Sequence, residues 1–358
     1  MNSRFWSGRR VFITGHTGFK GAWLGYWLRQ MGADVRGYAL APEQSPALFD
    51  VLRLDKDMPS PYADINALAT LKAAIRQFEP EIVFHMAAQS LVKPSYEFPV
   101  QTYQTNVMGT VNLLESVREL PSVKAVVVVT SDKCYENLER EWPYRESDRL
   151  GGHDPYSNSK ACAELVTASY RASFFQQSAT AVASVRAGNV IGGGDWSAHR
   201  LLPDIIRAWQ SGQTLPVRNP EAVRPWQHVL DPLSGYLMLA ERLVEEGQTY
   251  ARAWNFGPLQ QAMQPVRRLV EAAVEKCDGF AWKAELQPEH HEAQLLMLDC
   301  SMAQKELGWR PQWSLEQGLE KTFAWYRAFY KGEDMRAICD QQIEAFVNQV
   351  PQSNRAML

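Results

Sequence analysis

Apolar positions along the chain change period again and again, and the changes mark out elements. Val11 to Thr14 is a short apolar run closed by Gly15, and a helical stretch follows from about Gly18 to Met31, where Gly32 stops it. Ala33 to Leu40 reads as a second strand and Pro61 to Ile65 as a weak third. Leu68 to Phe78 has helical spacing and halts before Pro80, Glu81 to His85 is a strand, and Pro99 to Leu120 is a long helix ended by Pro121. Ala125 to Thr130 holds four successive valines, the pattern of a strand buried on both faces. Ser157 to Phe175 is helical again and Ala181 to Arg186 is a strand. Strands alternating with helices in this way predict an α/β fold on a doubly wound parallel sheet, whose ligands bind beyond the carboxyl ends of the strands.

Past about Gly188 the rhythm breaks. Gly192-Gly193-Gly194-Asp195-Trp196 is a loop, Leu202 to Gln210 a helix, Pro216 to Pro225 irregular, Leu233 to Leu243 a helix and Trp254 to Phe256 a short strand. The tail after Gln264 is mostly helical. The expected organisation is a sheet domain of residues 1–188 plus about 229–257, with a smaller, interleaved substrate-binding lobe from about 189–228 and 258–358.

Composition narrows the function. The 358 residues are 46% hydrophobic, enough for a sizeable core, and 37 Lys+Arg against 40 Asp+Glu give a formal net charge of −3 with no long block of one sign. Such a chain is a poor binder of nucleic acid or membrane surfaces. Five cysteines, an odd number with no C-x-x-C pair, argue against a disulfide framework or a thiolate zinc site and for a reducing cytoplasm. No targeting segment is read at the start, and no apolar run approaches the roughly 18 residues of a membrane span.

Chemistry gathers after the strands. Gly15, Gly18 and Gly21 form G-x-x-G-x-x-G between the first strand and first helix. There glycine permits a tight turn and close approach of a pyrophosphate to a helix N-terminus. This makes the sheet Rossmann-type and predicts a bound dinucleotide. No acidic residue ends the second strand, and Arg36 lies too early to replace it, so the choice of NAD over NADP does not follow from that strand. Tyr156 and Lys160 share one helical face, where the ammonium is expected to lower the phenol's pKa. Thr130-Ser131-Asp132-Lys133 ends the valine strand with Ser131 placed to bond a reacting oxygen, Asp132 as an acid if protonated and Lys133 as a base if neutral. Small residues in His85-Met86-Ala87-Ala88-Gln89 suit a backbone lying against a cofactor, with Asn106 in the helix after it. Arg218 and Arg224 could each grip a diphosphate, or be solvated surface arginines. Adjacent His290 and His291 before Glu292 are poorly placed to converge on one ion, and no metal is expected.

Together these residues resemble the extended short-chain dehydrogenase/reductase family over nearly the whole chain. Ser131-Asp132 ahead of Tyr156 and Lys160 resembles its nucleotide-sugar 4,6-dehydratase branch, with the 4-epimerases as the alternative. Most of that branch carries Asp-Glu where this chain has Asp132-Lys133. With TGHTGFKG at 14–21, TSDKCY at 130–135, RAGNVIGGGDW at 186–196 and RPWQHVLDPLSGYL at 224–237, the departure is similar to the members acting on CDP-glucose. The resemblance implies NAD held by Gly15, Thr17, Gly18, Phe19, Gly21, Asp64, Ile65, Ala87, Ala88, Gln89, Asn106, Thr130, Tyr156 and Lys160. It implies CDP-glucose held by Gln89, Ser131, Asn189, Arg218, Arg224 and Glu292, and catalysis by Ser131, Asp132, Lys133, Tyr156 and Lys160. It further implies a homodimer or homotetramer serving deoxysugar synthesis for bacterial O-antigen or lipopolysaccharide. Whether Lys133 is the base at C5 or only positions its neighbours stays open.

Overall fold

A computed structural model describes residues 3–258, 263–285 and 295–349. The first half runs α1 (Ser3–Trp6), β1 (Arg10–Thr14), α2 (Phe19–Gln30), β2 (Asp34–Tyr38), α3 (Leu48–Val51), α4 (Leu54–Asp57), α5 (Leu68–Phe78), β3 (Ile82–His85), α6 (Val92–Glu97), α7 (Pro99–Tyr103), α8 (Gly109–Val117), β4 (Ala125–Val129), α9 (Pro155–Tyr170) and β5 (Ala181–Ala187). The second runs β6 (Asn189–Ile191), α10 (Leu201–Ser211), β7 (Thr214–Val217), β8 (Val223–His228), α11 (Leu230–Glu246), β9 (Ala253–Phe256), β10 (Met263–Pro265), α12 (Val266–Lys276), β11 (Ala281–Ala284), α13 (Leu315–Tyr330) and α14 (Met335–Gln349).

Six strands form one parallel sheet in the order β2-β1-β3-β4-β5-β9. Alternation splits its side chains between two cores: Val11 and Ile13 of β1 and Val127 of β4 face one, Phe12, Val126 and Val128 the other. Helices α5, α8 and α9 cover the second face, and α2 and α11 cover the first. The order reverses after β1, which places the ligand crevice where β1 and β3 diverge. Outside this sheet, β6, β8 and β10 make a three-stranded sheet and β7 pairs with β11.

Helix α2 is buried continuously from Gly21 to Leu28, as a helix must be when it is covered on two sides. Its inner face meets the sheet. On the outside Trp27 packs edge-on against Phe346 of α14, and the Tyr26 hydroxyl bonds Asp340 and the Arg336 carbonyl. The tryptophans are accounted for mainly as packing: Trp6, Trp23, Trp27, Trp254, Trp309 and Trp325 are all fully buried.

Three expectations need correction. The strand expected at Pro61–Ile65 is one bridge, Tyr62 to Ala39, because Pro59 and Pro61 cannot donate to a ladder. The segment from Pro216 to Pro225 is not irregular but contributes β7 and β8. Pro216 is tolerated because β7 has a single partner, β11. In β8, Val223 to Pro225 pair only with β10, and Trp226 to His228 only with β6, so Pro225 faces a free flank on the other side. The helix expected at Pro99–Leu120 is α7 and α8 joined by a π-helical segment, Gln104–Met108.

Candidate active site

The glycine loop is built by steric necessity. Gly15 has φ +76°, and a Cβ there would lie 2.6 Å from the Ala87 nitrogen; one on Gly21 would lie 2.2 Å from the Gly15 carbonyl oxygen. Both close approaches demand glycine. Gly18, the N-cap of α2, makes no side-chain cap bond, and a Cβ there would meet nothing closer than 3.5 Å. The first amides of α2 thus front an open cradle, a ready site for the pyrophosphate of a dinucleotide. The Thr17 hydroxyl ties the loop to the Leu40 carbonyl two residues beyond β2, and the Phe19 ring lies against Gly192. Next to β2, the Tyr38 hydroxyl donates to the Asp64 carbonyl, and Ile65 is buried against Gly109. Arg36 points away, its guanidinium over the Phe78 ring.

After β3, Thr14 Oγ1 accepts from the Met86 and Ala87 amides, holding Ala87 and Ala88 beside Gly15. Asn106 Oδ1 accepts the Gln89 amide at 2.8 Å, while its Nδ2 donates to the Gln89 carbonyl and to Ser159 Oγ. The Gln89 side chain is spent on Leu91 and Thr102. Both amides expected to bind ligand are therefore occupied as brackets. They lock the β3 loop to α9, and the π-helical turn is what aims Asn106 at that loop.

Asp154 caps α9 and sets the rotation that turns Tyr156 and Lys160 inward. Both are buried, and Lys160 Nζ donates to the Val129 carbonyl at 3.3 Å. The expected lowering of the phenol is overturned. Burial pushes Tyr156 up to about 12, opposed by the neighbouring Ser131 and by Arg200. Lys160 itself is pulled down to about 7, by burial and by Lys20, so its charge is weakened as the neighbour expected to stabilise a phenolate.

At the end of β4, Ser131 Oγ donates to Asp132 Oδ1 at 2.9 Å and accepts the Lys133 amide. Burial raises the Asp132 carboxyl, with Lys133, Ser131 and Arg224 acting against the rise. Thr130 points away from the crevice: its hydroxyl bonds Glu164 and the Val185 carbonyl. Below it lies a buried ion pair, Arg186–Glu164 at 2.7 Å, extended by Ser184 and Tyr135.

The segment from β6 to β8 reaches Asp132. A Cβ on Gly188 would touch Pro225 and lie 3.2 Å from Asp132 Oδ2, so this glycine lets β8, with Arg224, approach Asp132. Arg224 is half-buried with its charge on Asp132, whereas Arg218 is exposed with its charge on Asp204. Glu292, with His290 and His291, lies outside the described residues. Sequence reasoning missed Lys20, Asp195 and Arg200. Lys20 is drawn down to about 8 by burial and Arg200, while Asp132 and Asp195 oppose. Asp195 pairs with Arg200 at 3.0 Å, and Arg200 reaches Ser90. Lys20 stood inside the glycine motif and Asp195 inside the GGGDW loop, which is where their signal lay. A separate cleft of about 720 Å³ between Arg145, Arg171, Arg252 and Asp299 meets this region only at Glu164 and Arg186.

A family model described as GDP-mannose 4,6 dehydratase matches residues 12–322. The chain is 50% identical over 354 residues to the CDP-glucose 4,6-dehydratase of Salmonella typhimurium, covering 97% of this chain and 99% of that one. It is 28% identical over 279 residues to a dTDP-glucose 4,6-dehydratase of Xanthomonas campestris, covering 74% and 77%. Among solved structures, a Thermotoga maritima UDP-glucose 4-epimerase with UDP-glucose superposes with TM-score 0.77 at 21% identity, over 90% of this chain and 99% of that one. A Bacillus anthracis dTDP-glucose 4,6-dehydratase in complex with NAD gives 0.74 at 22%, over 92% and 100%. At those identities the two structures speak for the fold.

Proposed function

The chain belongs to the GDP-mannose 4,6-dehydratase family of extended short-chain dehydrogenases/reductases, and from that premise we propose that it is an NAD-dependent hydro-lyase converting CDP-glucose to CDP-4-keto-6-deoxyglucose and water. One observation carries the reading: Ser131-Asp132-Lys133 converges with Tyr156 and Lys160 at the strand ends, beside a glycine cradle. An epimerase needs the tyrosine and lysine but no buried acid, and Asp132 is 3% exposed. The cytidine base and the glucose follow from the Salmonella relative at 50% identity.

The residues that would hold NAD are Gly15, Gly18 and the first amides of α2 for the pyrophosphate, with Asp64 and Ile65 beyond β2, Ala87 and Ala88 along the backbone, and Tyr156 and Lys160 at the reacting end. When bound, the dinucleotide supplies a hydride acceptor at C4 and a hydride donor at C6, so the net reaction is redox-neutral. Tyr156 holds the C4 oxygen and takes its proton. A ketone at C4 acidifies the C5 hydrogen; a neutral Lys133 would remove and return it, and a charged Lys133 would instead position Asp132 and the sugar. Asp132 protonates the departing C6 oxygen. Arg224 and Asn189 orient the nucleotide sugar, and the half-buried lobe around Asp195–Arg200 keeps bulk water out.

Exposed Phe98, Val100, Met108 and Leu165 on the outer layer of α6 to α9 support a homodimer through these helices. Leu165→Glu is expected to yield a monomer in light scattering; an unchanged mass would remove that interface. Five free thiols suit a reducing cytoplasm, and the product suits deoxysugar synthesis for a bacterial surface polysaccharide. The deciding experiment is mass analysis after incubation with CDP-glucose and NAD. A product lighter by one water, with NAD recovered, is expected. A product of unchanged mass would make the protein an epimerase, and preference for a dTDP-, UDP- or GDP-sugar would overturn the cytidine assignment.

A further inference from the structure

We propose that Thr130 and Glu164 are positioning residues, and that the buried Arg186–Glu164 pair fixes the turn carrying Ser131, Asp132 and Lys133 against the helix carrying Tyr156 and Lys160. The proposal rests on the dehydratase reading above.

The reacting groups come from two elements. Ser131, Asp132 and Lys133 follow β4, with Asp132–Cys134 forming a single 3-10 turn, while Tyr156 and Lys160 sit in the first half of α9. A 4,6-elimination asks both sets to serve one sugar in one bound pose, at the C4 oxygen, the C5 hydrogen and the C6 oxygen. Its rate then depends on the spacing between turn and helix, and a misplacement of about 1 Å costs on the order of 100-fold. Apolar packing sets that spacing poorly, because it has no direction. The buried residues of α9 include Ser157, Ser159, Ala161 and Ala163, so side-chain shape adds little keying. Directed bonds have to supply it.

Those bonds run through one carboxylate. Thr130 immediately precedes Ser131, and its hydroxyl donates to Glu164 Oε1, one turn beyond Lys160 on α9. Glu164 Oε2 accepts from Arg186 Nη2 and from Ser184 Oγ, both at 2.7 Å and both on β5. Strand β4, helix α9 and strand β5 thus meet on the two oxygens of one side chain. The other arm of Arg186 reaches past the turn. Its Nη1 donates at 2.7 Å to the Tyr135 hydroxyl, which donates in turn to Asn255 Oδ1 at 2.8 Å. The turn is therefore held before Ser131 and after Cys134 by hydroxyls tied to the same ion pair. Thr130, Tyr135, Glu164 and Arg186 are 5%, 1%, 3% and 3% exposed, so water does not compete for these bonds. The Lys160 ammonium gives α9 a further bond to this strand, on the Val129 carbonyl at 3.3 Å, but through a group that the reaction itself needs. The Thr130–Glu164 bond leaves the reacting groups free.

Cutting the ion pair would confound position with folding, so the test removes hydroxyls and leaves both charges paired. Thr130→Val, in the NAD-loaded protein, keeps the shape and deletes the donor. It should lower kcat with CDP-glucose about 10- to 100-fold and leave KM and the NAD Kd unchanged, since the binding groups stay and only their alignment with the reacting atoms is lost. Thr130→Ser should restore most of kcat. Tyr135→Phe should fall between wild type and Thr130→Val, because the Tyr135 backbone is also bridged to Leu150. A merely structural role would lower Tm and leave the kcat of the folded protein alone, so kcat is read well below the Tm of each variant. Amide hydrogen exchange is a second readout that needs no turnover: residues 131–135 should exchange faster in both variants. Wild-type kcat in Thr130→Val, a rise in KM in its place, or wild-type exchange at 131–135 overturns the proposal. If Thr130→Val does not fold, Tyr135→Phe decides, and wild-type kcat and exchange in that variant overturn it. A wild-type protein that makes no dehydrated product overturns the activity instead, and the exchange measurement still judges the clamp.

Discussion

Replacing Glu164 by Gln removes one charge and almost no volume, yet it should be among the most destabilising single changes in the sheet domain. Glu164 and Arg186 are 3% exposed or less, 2.7 Å apart. Burial alone would raise the Glu164 carboxyl, but Arg186, Thr130 and Ser184 outweigh it and hold it below the usual range. With glutamine in place the guanidinium stays charged, because arginine does not deprotonate in a protein. A buried charge stripped of its partner costs about 3–5 kcal/mol. At about 2.1 cal/mol/K per residue, 358 residues melt with an entropy near 0.75 kcal/mol/K, so Tm should fall by about 4–7 °C. Arg186→Met should behave differently, since the orphaned Glu164 can take up a proton. Its folded pKa would then lie above the unfolded value, so the variant should be least impaired at low pH and lose ground as pH rises. Calorimetric melts across pH would show both patterns. If Glu164→Gln melted within about 1 °C of wild type, the pair would not carry the charge balance argued here.

Three more outcomes follow from the geometry. Gly15→Ala should lower NAD affinity at least tenfold and cost about 1–2 kcal/mol of stability from its left-handed backbone alone, measured by titration and melting; unchanged affinity would refute the cradle. Asp231, fully buried with one oxygen bonded to the Gln312 amide, is pushed up to about 7 by burial. Its stabilising contribution is complete below about pH 4 and is lost as pH rises through about 7, so Asp231→Asn should flatten the Tm profile between them; an unflattened profile would show the carboxyl is not so shifted. Arg224→Gln should raise KM for CDP-glucose about 10- to 100-fold, the worth of a charge-assisted hydrogen bond, while Arg218→Ala should change it little; equal effects would return Arg218 to the crevice.

The sheet was legible because its strands answer to local rules. Four valines in β4, and Gly15, Gly18 and Gly21 after β1, mean the same thing wherever the rest of the chain goes. The second lobe was not, because Pro216 and Pro225 read as breakers until their strands are known to have free flanks. Within the site, the spacing of Tyr156 and Lys160 and the run at Ser131–Lys133 were readable as residues brought to one crevice. Their electrostatics were not: Tyr156 rises because of burial, and Lys160 falls partly because Lys20 approaches from another element. Asn106 and Gln89 were read as cofactor contacts, and only the folded structure shows that the Asn106 amide is held by the Gln89 backbone and Ser159 while the Gln89 amide bonds Leu91 and Thr102.

The double covering of α2 bears on how this protein matures. The helix that fronts the glycine cradle takes its outer packing from α14, and the Tyr26 hydroxyl finds an acceptor 310 residues later in the chain. While the chain is being synthesised, the strand–helix unit that opens it emerges with an apolar outer surface whose cover is still untranslated. Vectorial folding can therefore assemble the sheet early but cannot seal the dinucleotide helix until α14 has left the ribosome.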